Sequence, residues 1–352
     1  MSSHATIARA DLQVRAGTTS DTDRILELVK LSLGEGAIPR DRAYWTWKHE
    51  ANPFGASPVL LAESGGELVG LRVFMRWGWQ AAGTSHLAVR AVDTATHPAW
   101  QGKGIFSQLT RELVARMTAD GVHFVFNTPN DQSRPGYLKM GWQAVGRTDL
   151  WIRPLRPLRI ARAVAARRLG TGTPVAGPDA NDRFTRVEAL CMQPGLPALL
   201  ASAGAQPAAG RLATQRTPEY LRWRYGAIPG FRYQALFAFE QDGAAALVFR
   251  YKHQGSLLEL RLAEVMVGGG RGSVALACRL LDRLAATCDA DYLSAMAARG
   301  TPEQRALVRS WFLPFPRGGP ILTVRPLNAT PGGVDPLQRG QWRLSIGDLE
   351  LF

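Results

Sequence analysis

The segment THPAWQGKGIFSQL, residues 96–109, decides how the rest of the chain is interpreted. It places Pro98, Gly102, Lys103 and Gly104 directly before a run with helical apolar periodicity. Glycines let other groups approach the backbone N–H groups closely, and the N-terminus of a helix carries partial positive charge. These features together are typical of a phosphate-binding turn at the start of a helix.

Two common phosphate motifs do not fit this segment. A Walker A loop has the order G-x-x-x-x-G-K-[ST], whereas Lys103 is followed by Gly104. The dinucleotide-binding pattern G-x-G-x-x-G fails too, because Phe106 and Ser107 stand where later glycines would be needed. Neither nucleotide fold is therefore predicted.

The composition is that of a globular chain without a metal site or disulfide framework. Its 352 residues are 46% apolar and carry a formal net charge of +13. The three cysteines, Cys191, Cys278 and Cys288, lack metal-ligand spacing, and the six histidines are scattered. No apolar run approaches the roughly 20 residues of a membrane span, and the first residues do not resemble a secretory signal. We therefore expect a cytoplasmic protein with an anionic partner, no membrane span and no metal.

The order of predicted elements recurs along the chain. YWTWKHEANPFG at 44–55 is echoed by YLRWRYGAIPGF at 220–231, and a hairpin, a strand, a glycine-containing turn and a helix follow each. The offset is roughly 170 residues, which predicts two copies of one fold. WQAVGRTDLWI, residues 142–152, is predicted as the last strand of the first copy, and WRLSIGDLELF, residues 342–352, as a C-terminal strand.

A basic segment separates the two copies. Six arginines lie between Arg153 and Arg168 with no acidic residue among them. Such a segment could bind RNA or lipid, but no aromatic residue is interleaved to stack on bases. We interpret it as a solvated linker and expect no nucleic-acid partner. Its apolar residues, which would pack down while the arginines face water, are Leu158, Ile160, Val164 and Leu169.

Two motifs in this order resemble those of the GNAT acyltransferase superfamily. The first is R/Q-x-x-G-x-G/A at a strand-to-helix turn, matched by Gln101, Gly104 and Ile105, with Phe106 where Gly or Ala is usual. The second is N-x-x-A-x-x-x-Y-x-K-x-G-F, which is similar to NDQSRPGYLKMGW at 130–142. The resemblance covers roughly residues 11–152, and the second half resembles the fold by repetition.

The resemblance implies an α+β (mixed α/β) fold class with two tandem GNAT-like domains, each a mostly antiparallel central sheet flanked by helices. A catalytic domain that binds acyl-CoA is predicted over residues 1–152, and a basic Pro/Arg/Gly-rich linker over 153–180. A degenerate GNAT-like domain ending in a strand is predicted over 181–352. In that second copy Leu307 stands at the position of Tyr137 and Val274 at that of Gly104. We therefore expect it to shape the amine-binding cleft without turning over substrate.

The implied reaction transfers an acyl group from acetyl-CoA, or a related acyl-CoA, to an amine. Such a transfer needs a deprotonated amine, stabilisation of an oxyanion and a proton for the leaving thiolate. By resemblance Tyr137 is the acid that protonates the CoA sulfur, although it could instead be a core aromatic. Asn130 would bond the pantetheine arm or cap a helix. The residues implied to bind the co-substrate are Thr96, Gln101, Gly102, Lys103, Gly104, Ile105, Asn130 and Ser133.

The general base is left open by the sequence. Many relatives carry a carboxylate on the fourth strand, and the corresponding residue here is Arg90. Asp93 lies three residues further on and would face the other side of the sheet unless a bulge intervenes. Some tandem relatives of the mycobacterial aminoglycoside-acetylating type use a C-terminal carboxylate, which would be that of Phe352, although this chain has no room for the third domain of those enzymes. A water relay is the remaining possibility.

Two rival functions follow from the same resemblance. One is a non-catalytic acyl-CoA sensor, against which the retained Tyr137 argues. The other is a tRNA-dependent aminoacyltransferase, which the net charge of +13 would suit but the CoA turn argues against. The acceptor amine is not identified by the sequence.

Overall fold

The computed structural model describes residues 12–34, 40–168, 183–205 and 210–349. Their strands form two sheets that are antiparallel except at one junction in each. The first sheet has the spatial order β1 (Gln13–Ala16), β2 (Val59–Ser64), β3 (Glu67–Ala81), β4 (Thr84–Thr96), β5 (Phe124–Asn127), β14 (Ile321–Pro326) and β6 (Gln143–Arg147), with β8 (Ala213–Thr214) pairing with β3. The second has the order β13 (Leu313–Pro314), β7 (Leu150–Pro154), β12 (Tyr292–Met296), β11 (Leu257–Val267), β10 (Gly243–Gln254) and β9 (Gln234–Glu240).

The helices pack on these sheets and confirm the predicted α+β class. They are α1 (Thr22–Leu33), α2 (Arg42–Trp45), α3 (Ile105–Ala119), α4 (Arg134–Lys139), α5 (Pro157–Arg168), α6 (Val187–Cys191), α7 (Leu196–Gly204), α8 (Pro218–Leu221), α9 (Ser273–Thr287) and α10 (Pro302–Arg309). Helix α3 follows β4 and packs on β3, and α9 follows β11 and packs on β10, so the element order recurs as the sequence predicts. None of the described helices has both the length and the apolar character that a bilayer crossing requires.

The two sheets exchange a strand with each other. Strand β14, from the second half, lies between β5 and β6, with Thr323 opposite both Asn127 and Ala144. Strand β7, from the first half, lies between β12 and β13. The predicted strand 142–152 is therefore wrong, because the chain leaves the first sheet after β6 and enters the second sheet at β7. The predicted domain boundaries at residues 152 and 180 stay a prediction. The two hydrogen-bonded sheets are not separated at these residues, because each sheet contains a strand from the other half of the chain.

Two corrections concern the segments after these strands. The basic stretch predicted as a linker starts within β7 and continues as helix α5, where Leu158 and Val164 are exposed instead of packed down; Leu169 lies outside the described residues. Arg156 and Arg159 of this stretch lie 3.8 and 3.4 Å from the buried carboxylate of Asp291. The predicted C-terminal strand is absent from the described part of 342–349, which ends in a single 3₁₀ turn over Gly347–Leu349.

A pair of tryptophans joins the two repeats. The echoed segments each contain a short helix followed by a π-helical turn, Thr46–Glu50 after α2 and Arg222–Gly226 after α8. The indole N–H of Trp47 donates to the Trp223 carbonyl at 2.6 Å, and that of Trp223 donates to the Trp47 carbonyl at 2.7 Å. The rings stack with centroids 5.3 Å apart. The repeat is thus visible as a reciprocal contact in the core between the sheets.

Replacing Trp47 by phenylalanine should destabilise this junction. The change removes a buried donor from the Trp223 carbonyl, which costs about 1–3 kcal/mol. Urea unfolding measures it, with Trp79→Phe as the matched control, since the Trp79 indole N–H has no hydrogen-bond partner among the described residues. If both variants lose the same free energy of unfolding, the loss comes from the smaller ring, and the reciprocal hydrogen bond adds nothing to stability.

Strands β4 and β5 diverge where the predicted turn lies. They pair in parallel from Ala88–Phe124 to Arg90–Phe126, and β4 then continues to Thr96 without β5, paired on its other edge with β3. Helix α3 packs closely beside this opening because Gly70 of β3 has no side chain; a Cβ there would lie 2.5 Å from Ile105 Cγ2. The gap between β4 and β5 therefore lies next to the end of β4 and the start of α3.

Candidate active site

A cavity of about 550 Å³ opens between the end of β4 and the first turn of α3. Gly102 and Gly104 line it with φ of +76° and +84°, values that L residues with side chains rarely adopt. The first helical hydrogen bond runs from Gln108 N–H to the Gly104 carbonyl at 3.0 Å. The N–H groups of residues 105–107 precede that bond and have no acceptor within the helix. The backbone at this turn therefore fits a phosphate-bearing ligand.

Six of the eight residues predicted to bind the co-substrate line this cavity. They are Thr96, Gln101, Gly102, Gly104, Ile105 and Ser133. Lys103 instead lies with Nζ 4.4 Å from the centroid of the Trp100 ring. The Asn130 side-chain oxygen accepts hydrogen bonds from both the backbone N–H and the hydroxyl of Ser133, the N-cap of α4, so Asn130 closes the turn before that helix. Its contact with the pantetheine arm stays a prediction.

Tyr137 is buried beside the wall of the cavity. It lies on α4, next to Gly136, which lines the cavity. Its ring meets Phe106 edge-on at a centroid distance of 5.7 Å and Trp142 at 5.1 Å. Its hydroxyl accepts a hydrogen bond from Arg72 Nη2 at 2.9 Å. Phe106, which departs from the family pattern, therefore helps to fix the ring of the predicted acid.

A family described as "Acetyltransferase (GNAT) domain" matches the part of the chain that builds this cavity, residues 13–145. These residues are a GNAT domain. The match confirms the resemblance predicted from the two motifs, and the enzyme class that follows is N-acetyltransferase. A search of curated proteins finds no match.

Solved structures extend the likeness beyond the GNAT domain. A probable N-acyltransferase from Enterococcus faecalis is 12% identical with a TM-score of 0.61, and the match covers 90% of this chain and 73% of that one. Eis1 from Mycobacterium abscessus is 15% identical with a TM-score of 0.53, covering 90% and 74%. N-myristoyltransferase from Saccharomyces cerevisiae, solved with bound myristoyl-CoA, is 12% identical with a TM-score of 0.51, covering 98% and 86%. At these identities the likeness establishes the fold across both sheets.

Asp93 occupies a β-bulge in the GNAT domain. Its neighbours Val92 and Thr94 pair with Val73 and Arg72, so Asp93 is the extra residue, with φ of +24°. The bulge that the sequence left open is therefore present. The Asp93 carboxylate lies 2.6 Å from Lys48 Nζ and 2.9 Å from His49 Nε2.

These contacts weaken Asp93 as a proton acceptor. Burial alone would raise the pKa of this carboxyl, but the charge of Lys48 and the hydrogen bond from His49 outweigh it and hold the pKa well below its usual range. His49 also bonds through Nδ1 to Ser57 Oγ at 3.0 Å, so a buried imidazole links Asp93 to a half-buried hydroxyl. The role of Asp93 as the base stays a prediction, and its observed contacts suit a positioned carboxylate better than a strong base.

The C-terminal segment reaches the GNAT domain at Arg90. Arg90 Nη2 donates to the carbonyl of Leu349 and to Thr128 Oγ1. Arg224 holds the preceding turn by donating through Nε and Nη2 to the Gly347 carbonyl at 3.1 and 3.0 Å. Phe352 lies outside the described residues, so its carboxylate stays a predicted base.

Replacing Gly347 by alanine should disturb this turn. An added Cβ would lie 1.8 Å from Tyr225 Oη, whose hydroxyl donates to Glu264 at 2.7 Å in the buried interior. Overpacking of this kind costs about 1–3 kcal/mol. Urea unfolding of the variant measures it, with Gly340→Ala as control, because nothing lies within 4 Å of a Cβ at Gly340. Equal stability of the two variants would show that Tyr225 moves aside freely.

The equivalent turn of the second sheet is closed. Gly272 N–H, at the start of α9, donates to the Asp242 carbonyl at 3.0 Å, and Ser273 Oγ accepts from Ala244 N–H at 3.1 Å. A Cβ on Gly270 would lie 2.3 Å from the Asp242 oxygen. The hairpin turn between β9 and β10 thus covers the helix start that is open at α3.

Sequence reasoning missed the buried cations around the site. Arg72 and Lys48 fall within a predicted strand and a predicted helix, and the sequence motifs assign neither of them a role. The sequence does contain a signal for Arg72. Gly70, Arg72 and Phe74 are two residues apart and so share one face of the strand, and the glycine marks this face as the one on which α3 packs. A charged residue on that face is a departure from the apolar pattern.

Proposed function

We propose that the chain is an acyl-CoA-dependent N-acyltransferase with one active site, in the GNAT domain, and that acetyl-CoA donates the acyl group to a primary amine. The observation that carries the proposal is the open cavity at the start of α3 with Tyr137 beside its wall. Glycines with positive φ, and first-turn N–H groups that have no acceptor within the helix, suit the pyrophosphate of CoA. A short acyl group is favoured because Phe106 and Tyr137 already fill the space beside the cavity with packed rings.

Different residues would bind the co-substrate and transfer the protons. The turn from Gln101 to Ile105 would hold the co-substrate, and Tyr137 would donate a proton to the sulfur as the carbon–sulfur bond breaks. Asp93, the Phe352 carboxylate or a water would take the proton from the amine. The closed turn before α9 supports a single co-substrate site per chain, with the second sheet shaping the amine side.

The experiment is a thiol-release assay with acetyl-CoA across a panel of amines, with calorimetry on the same protein. We expect one binding site per chain and thiol release that depends on an amine. Binding without release for every amine would favour an acyl-CoA sensor. Absence of binding would contradict the assignment of the cavity.

A further inference from the structure

Arg72 is a fully buried cation beside the predicted acid. It lies on β3, opposite Thr94 at the bulge, with 0% of its surface exposed. Nη2 donates to the Tyr137 hydroxyl at 2.9 Å and Nη1 to the Val92 carbonyl at 3.3 Å. Its Nε has no hydrogen-bond partner among the described residues.

Aromatic rings surround this guanidinium. The Cζ atom lies 4.9 Å from the ring centroid of Phe74, 5.3 Å from that of Phe106 and 5.4 Å from that of Tyr137. Within the described ranges, the contacts of Arg72 are a carbonyl, a hydroxyl and these ring faces, with no carboxylate. Buried arginines are normally paired with an acid, because an uncompensated charge is costly to bury. A cation kept in this setting suits a place where negative charge develops during a reaction.

The direction of the hydrogen bond fixes the Tyr137 proton. A guanidinium can donate hydrogen bonds but cannot accept them. Tyr137 Oη therefore accepts from Arg72, and its own hydrogen points away from Arg72. The phenol therefore carries its proton on one side and faces a fixed positive charge on the other.

We propose that Arg72 is a positioning residue for proton donation by Tyr137, an inference that rests on the proposed acyltransferase function. As the carbon–sulfur bond breaks, its electron pair goes to sulfur, and sulfur takes the proton from Tyr137 Oη. The negative charge left on that oxygen is stabilised by the Arg72 guanidinium until water returns a proton. Arg72 itself touches no substrate atom and acts through Tyr137.

A double-mutant cycle in kcat tests this role. The variants are Arg72→Met, Tyr137→Phe and the two combined, each assayed with acetyl-CoA and one amine. We expect Arg72→Met to lower kcat by about 10²- to 10³-fold in the parent and by less than about threefold in the Tyr137→Phe background, because residues that act together are not additive. Arg72→Lys, which keeps a charge and a donor, should restore part of the lost rate.

The controls separate this role from packing and from the proposed function. Arg250→Met removes another buried arginine, on β10 of the second sheet, and should leave kcat unchanged. Calorimetry should give a similar acetyl-CoA affinity for the parent and for Arg72→Met.

If the effects of the Arg72 and Tyr137 changes on kcat multiply, the proposed role is wrong and Arg72 acts independently of Tyr137. If Arg72→Met does not fold, the double-mutant cycle is repeated with Arg72→Lys in its place. Full kcat of Arg72→Lys in the parent background would then contradict a role for the Arg72–Tyr137 hydrogen bond. A parent without turnover would overturn the acyltransferase function and this inference with it.

Discussion

Replacing Tyr137 by phenylalanine is expected to lower kcat with acetyl-CoA by about 10²- to 10⁴-fold. The hydroxyl is needed as sulfur leaves, so its loss raises the energy of the transition state more than that of the bound complex. The ring would still pack against Phe106 and Trp142, which preserves α4 and the cavity wall. Acetyl-CoA affinity should therefore stay nearly the same, and the change should appear in kcat.

Steady-state kinetics and calorimetry measure the two quantities separately. Tyr251→Phe is the matched control, because it removes the hydroxyl of another buried tyrosine, in the second sheet. Full kcat in Tyr137→Phe would mean that Tyr137 is a core aromatic and that sulfur receives its proton from another group. The variant should also lose about 1 kcal/mol of stability, because Arg72 Nη2 loses its acceptor.

Replacing Gly104 by tryptophan should abolish acetyl-CoA binding, raising the dissociation constant by more than about 100-fold, or about 2.7 kcal/mol. Gly104 has φ of +84° and lines the cavity at the first turn of α3. A side chain there strains the backbone and places an indole where a phosphate would approach the N–H groups. Calorimetry with acetyl-CoA measures the loss directly.

Gly300→Trp is the control for backbone strain. Gly300 has φ of +78° with nothing within 4 Å of an added Cβ, and it precedes α10 in the second half of the chain. This variant should bind acetyl-CoA as the parent does. Unchanged affinity in Gly104→Trp would place the co-substrate away from this turn.

The parts of the molecule that the sequence predicted well depend on local chemistry. The turn before α3 needs glycines at Gly102 and Gly104 because of its backbone angles, and residue type reports that directly. The hairpin of β2 and β3 follows from two largely apolar runs joined by Gly65 and Gly66, whose φ angles of +56° and +82° suit a tight turn. The echo of residues 44–55 at 220–231 survives in the reciprocal tryptophan contact.

The parts that the sequence did not predict depend on partners far along the chain. Strand β14 pairs with β5 across nearly 200 residues, and nothing in its own six residues specifies that neighbour. Arg72 contacts Tyr137, which lies 65 residues away, so its environment exists only in the folded chain. The segment 342–349 has the apolar character of a strand, but beyond a single bridge between Trp342 and Leu212, side chains such as Arg224 bind its carbonyls in place of a neighbouring strand.

The strand exchange has a consequence for how the protein is made. During translation β5 and β6 are complete long before β14 leaves the ribosome, so the strand that lies between them in the folded protein is missing until then. Unpaired strand edges invite association with other chains, and pairing between distant segments is slow. A truncation after residue 152 would leave that gap open permanently and would remove the partners of β7. We therefore expect the nascent first half to need protection from a chaperone, and the GNAT domain to become soluble and active only when the last strand has been synthesised.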